Sequence, residues 1–211
     1  MTRYETLQVT QAYRTRCEDR VAVLEESERS VIVVADGAGG VGSGDAAAEA
    51  VIREVRSRSP TLQTAEDWAA ALEQIDFVIG AGQSTAVVVD LRPEGICGAS
   101  VGDSQAWIFD DDVIDLTAGQ QRKPLLGTGE ARAVGFSRSP LAGLLVVGTD
   151  GLFNYVKRQQ LQPLVAQTDF FALPRTLLEL VRLPSGQWWD DVGLVLCRRR
   201  PQQRTRQRYQ I

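Results

Sequence analysis

Histidine is absent from all 211 residues. That absence excludes Ser-His-Asp triads, Cys-His nucleophiles, histidine-based zinc hydrolase sites and phosphohistidine chemistry. Any catalysis must run on carboxylates, Arg, Lys, Ser, Thr, backbone groups or metal. Cysteine is scarce: Cys17, Cys97 and Cys197 lie far apart with no C-x-x-C pair. They suggest neither a zinc site nor a disulfide framework, and are expected to be buried or half-buried. Nor can Arg follow any of them at phosphatase-loop spacing, since the sixth residue on is Val23, Asp103 or Gln203. No apolar run approaches a membrane span, and MTRYETLQVT lacks the apolar core of a signal peptide, so the expected location is the cytoplasm with no membrane contact. A net charge of -4 and a pI near 5.0 give no global attraction to nucleic acid. The dense basic stretch from Arg198 to Arg208 reads as a solvated, frayed tail.

With 44% hydrophobic residues the chain can bury one sizeable core, and one domain over 1–200 followed by a basic tail over 201–211 is expected. Val21 to Leu24 and Ser30 to Ala35 read as strands around a polar EESER turn. Ala and Val at helical spacing predict a helix over Gly44 to Arg58, ended by Pro60. A second helix is predicted from Thr64 to about Ile79, with Thr64 as N-cap and Asp67 completing a capping box. Ser84–Leu91, Ile96–Ser100, Ala106–Phe109 and Val113–Leu116 then read as strands of an antiparallel meander. Thr117 to Gly143 has little periodicity and reads as a mobile loop or flap. A strand over Leu144–Asp150, helices near Lys157–Gln167 and Leu173–Leu183, and a last strand over Val192–Cys197 complete the chain. This order suggests an α+β fold of two packed sheets with helices outside.

Acidic residues stand where apolar runs stop: Asp36 in VIVVADGAGG, Asp103 in ASVGDSQAW, Asp150 in LLVVGTDGL, and Asp190 with Asp191 in WWDDVGLVL. A lone Asp-Gly is an ordinary turn. Four such motifs in one histidine-free chain point instead to carboxylates projecting from rigid strand ends into a cleft, the arrangement a hard cation requires.

Together these residues resemble the metal-dependent 2C-type (PPM) serine/threonine protein phosphatases. The hallmarks D-G-x-G-G, G-D-S-x-A, S/T-D-G-L and a late D-N or D-D match Asp36–Gly40, Gly102–Ala106, Thr149–Leu152 and Asp190-Asp191. Arg14, five residues before Asp19 of the Glu18-Asp19 pair, matches the family's opening motif, and Gly82–Ala86 its central strand start. The resemblance implies a four-layer α-β-β-α sandwich of two mainly antiparallel sheets, with two Mn²⁺ or Mg²⁺ ions in a cleft at one end. Asp36 would bridge the ions, the Gly37 carbonyl would bind one, and Asp150 and Asp190 would be further ligands. Asp103 would help hold a weaker third ion. Glu18 and Asp19 would act in the outer shell through water, and Arg14 would grip substrate phosphate. The implied reaction is in-line attack of metal-bound hydroxide on phosphoserine or phosphothreonine. Phosphorylated proteins and a cognate Ser/Thr kinase or its targets are the implied partners, and the chain is expected to be a monomer.

Two departures matter. Ala38 stands where eukaryotic members often carry a proposed general-acid histidine, so the leaving group's proton must come from water or another residue. Gln105 replaces the Arg of the G-D-S-R form. Two competing readings exist. The Gly37–Ser43 loop satisfies G-x-G-x-x-G and resembles the nucleotide loop of adenylating enzymes, although no second parallel strand with an acidic end follows about 20 residues on. A catalytically silent, phosphoprotein- or kinase-binding member of the fold is the other, against which the set Asp36, Asp150 and Asp190 argues. Trp188-Trp189 reads as a packing element.

Overall fold

A computed structural model describes residues 2–38 and 43–201. The Gly39-Gly40 end of the first aspartate motif, most of the Gly37–Ser43 loop, and the basic tail beyond Pro201 lie outside the described residues.

The elements run β1 (Tyr4–Gln11), β2 (Arg20–Glu25), β3 (Ser30–Ala35), β4 (Gly37–Ala38), α1 (Gly44–Arg58), α2 (Ala65–Asp76), β5 (Gln83–Ser84), β6 (Ala86–Leu91), β7 (Ile96–Val101), β8 (Gln105–Phe109), β9 (Val113–Asp115), β10 (Val134–Arg138), β11 (Leu144–Gly148), α3 (Asp150–Phe153), α4 (Arg158–Gln167), α5 (Leu173–Leu180) and β12 (Val192–Arg199). Two five-stranded sheets form, in the orders β1-β12-β11-β8-β9 and β10-β7-β6-β3-β2, and every pairing in them is antiparallel.

The sandwich follows from strands that are apolar on both faces. In β3, Ile32 and Val34 turn inward to meet Val87, Val89, Ile108, Leu145, Val147 and Val195 between the sheets. Val31, Val33 and Ala35 turn outward, under Val51 and Val55 of α1 and Trp68, Leu72 and Ile75 of α2. On the other sheet Val146, Leu194 and Leu196 face outward against Leu161 of α4 and Leu173 and Leu177 of α5. Strands covered on both sides lose the alternation of a half-wet strand and read as continuous runs such as VIVVA. Each buried side chain of this size contributes roughly 1.5–3 kcal/mol. The result is the expected four-layer α-β-β-α sandwich.

The capping box forms as predicted: Thr64 Oγ1 accepts from the Asp67 N–H (3.1 Å) and the Asp67 carboxylate accepts from the Thr64 N–H (2.9 Å). Cys97 and Cys197 are buried and Cys17 half-buried.

Three expectations change, and one strand, β1, is not among those predicted. The strands from Ser84 to Leu116 are not one meander, because β7 belongs to one sheet and β8 to the other, and the chain crosses between them at Gly102-Asp103. β1 is an edge strand whose Glu, Thr and Gln residues hide its alternation, although Leu7 and Val9 pack on the outer helical layer. The supposed flap contains β10, another edge strand, paired with β7. Finally, the basic stretch is not all tail: Arg198 lies on β12, paired with Glu5 (2.8 Å) and 4.1 Å from the centre of the Phe170 ring.

What fixes the loop before β10 is Asp76, at the end of α2. Its buried carboxylate accepts the N–H groups of Gly127 (2.6 Å), Thr128 (3.0 Å), Gly129 (3.0 Å) and Ala131 (2.9 Å). A side-chain acceptor serving four otherwise unpaired backbone donors is costly to remove. Asp76→Ala should lower unfolding free energy by about 3 kcal/mol in urea denaturation. A loss below about 0.5 kcal/mol would show that water replaces the carboxylate.

Candidate metal centre

Antiparallel pairing alone gathers the acidic motifs. β3 and β7 both pair antiparallel with β6, so both end at the same edge, and β2 starts there. In the facing sheet β11 ends where β8 and β12 begin, with Gly148 opposite both Gln105 and Leu194. Asp19, Asp36, Asp103, Asp150, Asp190 and Asp191 are therefore all carried to one end of the sandwich.

There Asp36, Asp103 and Asp150 each offer a carboxylate oxygen within 4.8 Å of the others, all three residues half-buried. Burial, followed by the charges of Asp19, Asp150, Asp190 and Asp103, pushes the Asp36 carboxyl from its ordinary 3.8 up to about 9. Burial, then Asp190 and Asp103, raises Asp150 to about 6, held back by a hydrogen bond with Asp36 and by Arg122. Asp19, buried on the β2 side, rises to about 7, chiefly by burial, against the pull of the Thr149 hydroxyl. These groups accept protons because the chain does not neutralise them.

Hydroxyls beside the acids hold the arrangement. Thr85 Oγ1 accepts the Asp36 N–H (3.0 Å) and shares a hydrogen with Ser104 Oγ (2.7 Å), tying Asp36 to the residue after Asp103. Thr149 Oγ1 donates to Asp19 (2.8 Å) and accepts the Gly193 N–H (2.9 Å), tying the residue before Asp150 to β2 and β12. Asn154 Nδ2 donates to Asp150 (2.8 Å). Two glycines bring Gly37 close to the start of α1: a Cβ on Gly37 would run into the Gly44 carbonyl and come within 2.9 Å of Glu18 O. Sequence reasoning does not find these roles, although Thr85, Ser104 and Thr149 lie inside the motifs that carry the resemblance.

The remaining expected residues are placed less tightly. Asp190 is exposed, lies outside the close triad, and accepts the Asp191 N–H at 2.9 Å; its charge nevertheless acts on Asp36, Asp19 and Asp150. The Asp191 carboxylate accepts the N–H groups of Tyr13 and Glu18, both at 2.6 Å, and so closes the loop that carries Arg14. Glu18 is half-buried, its carboxyl raised by burial and by Asp191 and Asp45. Arg14 is exposed, 5.1 Å from the centre of the Tyr13 ring, whereas Arg16 pairs with Asp45 at the start of α1. Arg122, which nothing in the sequence singled out, donates to Asp103 through Nη2 (2.8 Å) and Nε (3.2 Å). The tryptophan pair divides. Trp188 packs, with its indole N–H on the Leu178 carbonyl (3.3 Å), while Trp189 is 56% exposed and stacks on Tyr155 with ring centres 5.8 Å apart.

No protein-family model matches the chain, and no curated protein matches it in sequence. Solved structures do match in shape. A bacterial serine phosphatase superposes with a TM-score of 0.80 at 19% identity, over 96% of this chain and all (100%) of that one. The fold is that of the bacterial serine/threonine phosphatases. Stp1 from Staphylococcus aureus gives 0.78 at 19% identity over 95% of this chain and 96% of its own. The catalytic domain of the serine threonine protein phosphatase PstP, in complex with two manganese ions, gives 0.76 at 18% identity over 92% and 96%. Identities this low carry the fold and not the activity.

The donor set suits a hard divalent cation: carboxylate oxygens in close approach, no sulfur or imidazole among them, and charge left unmet by the chain. Unfolded Asp36 loses its proton at about 3.9, whereas the folded group keeps it to about 9. Between those values the folded state binds more protons, so this group's contribution is full below about 4 and is lost as pH rises towards 9. Asp36→Asn should therefore stabilise the metal-free protein at pH 8 by on the order of 1–3 kcal/mol, with little effect at pH 4. It should also abolish the rise in Tm on adding Mn²⁺. Equal destabilisation by the variant at both pH values would contradict the electrostatic origin of the shift.

Proposed function

We propose that this chain is a metal-dependent hydrolase acting on phosphoserine and phosphothreonine in proteins. The observation that carries the reading is the approach of Asp36, Asp103 and Asp150 to within 4.8 Å at the end of a phosphatase-type sandwich. Asp36, Asp150 and Asp190, with the Gly37 carbonyl, would hold two Mn²⁺ or Mg²⁺ ions, Asp103 would border a third, weaker position, and Glu18 and Asp19 would act through water. Bound ions would supply charge neutralisation and a water acidic enough to serve as nucleophile near neutral pH.

The chain's own residues do the rest. Exposed Arg14 would present a planar fork to the phosphate oxygens, whereas Arg16 is committed to Asp45. Asp191 positions Arg14 by clamping the backbone on both sides of it. Thr85, Ser104 and Thr149 keep the carboxylates from moving apart as their charge changes. Ala38 offers no proton, so water or another residue must protonate the departing serine or threonine oxygen. The proposed partners are phosphorylated proteins and the kinase that shares them, met by a monomer in the cytoplasm. Among the described residues no helix is long and apolar enough to cross a membrane.

The nucleotide-loop alternative loses its frame, because the sheet that contains β3 is antiparallel throughout the described residues. A silent, phosphoprotein-binding member of the fold is separated by assay. Phosphoserine peptide should be hydrolysed with Mn²⁺ or Mg²⁺ and not in EDTA, and Asp150→Asn should reduce kcat by about a hundredfold or more. Arg14→Ala should raise KM about tenfold without changing Mn²⁺ affinity. Full turnover in EDTA would refute the metal mechanism, and binding without turnover would favour the silent member.

A further inference from the structure

Arg122 is the one guanidinium bonded to the triad among the described residues, and its place is built rather than incidental. The segment leading to it is stitched onto the Asp103 turn residue by residue. The Leu116 N–H donates to the Ala106 carbonyl (2.9 Å), and Thr117 Oγ1 accepts the Ala106 N–H (3.3 Å). Gln120 Nε2 donates to the Ser104 carbonyl (2.8 Å), and the Gly102 N–H donates to the Gln121 carbonyl (3.1 Å). The next residue is Arg122, which meets Asp103. Gly102 itself has φ +95°, a conformation that only glycine adopts readily, so the turn offering Asp103 to this segment is fixed from both sides.

Both guanidinium donors, Nε and Nη2, go to a single oxygen, Asp103 Oδ2. A cation approaching that oxygen must displace the fork and also meets its positive charge. The neighbouring carboxylates Asp36 and Asp150 carry no such partner among the described residues.

We propose that Arg122 takes the place of a divalent cation at Asp103, so that the site fills with two ions and the weaker third position is held by the chain's own charge. This rests on the two-cation reading above and deepens it. It also accounts for Gln105: with the motif's own Arg missing, the cation at this turn is supplied from the segment stitched beside it.

The test is Mn²⁺ titration of the full chain, counting bound ions by electron paramagnetic resonance of the free ion, for wild type, Arg122→Ala and Arg122→Lys. Arg122 is 71% exposed at its side chain, so the variants should melt with wild-type cooperativity. Wild type should bind two ions. Arg122→Ala should bind a third at Mn²⁺ concentrations that leave wild type at two, while the lysine variant, which keeps the charge, should stay at two. Adding Asp103→Asn to Arg122→Ala should remove the extra ion. Identical counts and affinities in wild type and Arg122→Ala, a third ion in wild type, or a lysine variant as open as the alanine variant would overturn the inference alone. Absence of Mn²⁺ binding in every protein would overturn both it and the two-cation reading.

Discussion

The constraint on which the structure turns is the forced approach of like charges. Three carboxyl groups within 4.8 Å would repel one another if all were ionised, and partial burial removes much of the water that would screen them. A flexible loop would relieve that repulsion by moving apart. Here it cannot, because each acid is fixed to a strand whose neighbours are buried on both faces, such as Val34 before Asp36 and Val147 before Asp150. The apolar sandwich thus holds an electrostatically unfavourable site in place, and the site's charge is what a cation would answer.

The polar links around the acids serve the same end at shorter range. Thr85 and Ser104 bridge the two sheets at the cleft, and Thr149 joins β2, β11 and β12 through Asp19 and Gly193. Buried hydroxyl networks of this kind are effective only when fully satisfied, and these are. Asp191 adds an outer clamp that brings the Arg14 loop to the same end. The three levels are nested: core packing orients strands, hydroxyls orient carboxylates, and the clamp orients the phosphate-binding candidate.

Much of this is legible in the sequence, and the reasons differ by element. Strands buried on both faces announce themselves as apolar runs, and an acid at the end of such a run marks a strand tip, so Asp36, Asp103 and Asp150 can be found by reading. The edge strands β1 and β10 cannot, since one wet side admits Glu, Gln, Gly and Ser into the pattern. The crossing between sheets at Gly102-Asp103 reads as an ordinary hairpin because a turn's residues do not say which sheet receives the next strand. Asp76, Asp191 and Arg122 act across long sequence separations on backbone groups or a distant side chain, and no local spacing encodes that. Asp190 shows the reverse case, a residue picked by motif that the fold leaves exposed beside the triad rather than inside it.

The central claim is that the unmet negative charge between Asp36 and Asp150 is a divalent-cation site. Anomalous diffraction at the manganese edge, from crystals grown with Mn²⁺, tests it most directly. The account predicts two peaks flanking the Asp36 carboxylate, with Asp150 among their ligands and Arg122 still on Asp103. An empty cleft under those conditions, or manganese bound only at surface carboxylates away from Asp36, would contradict it.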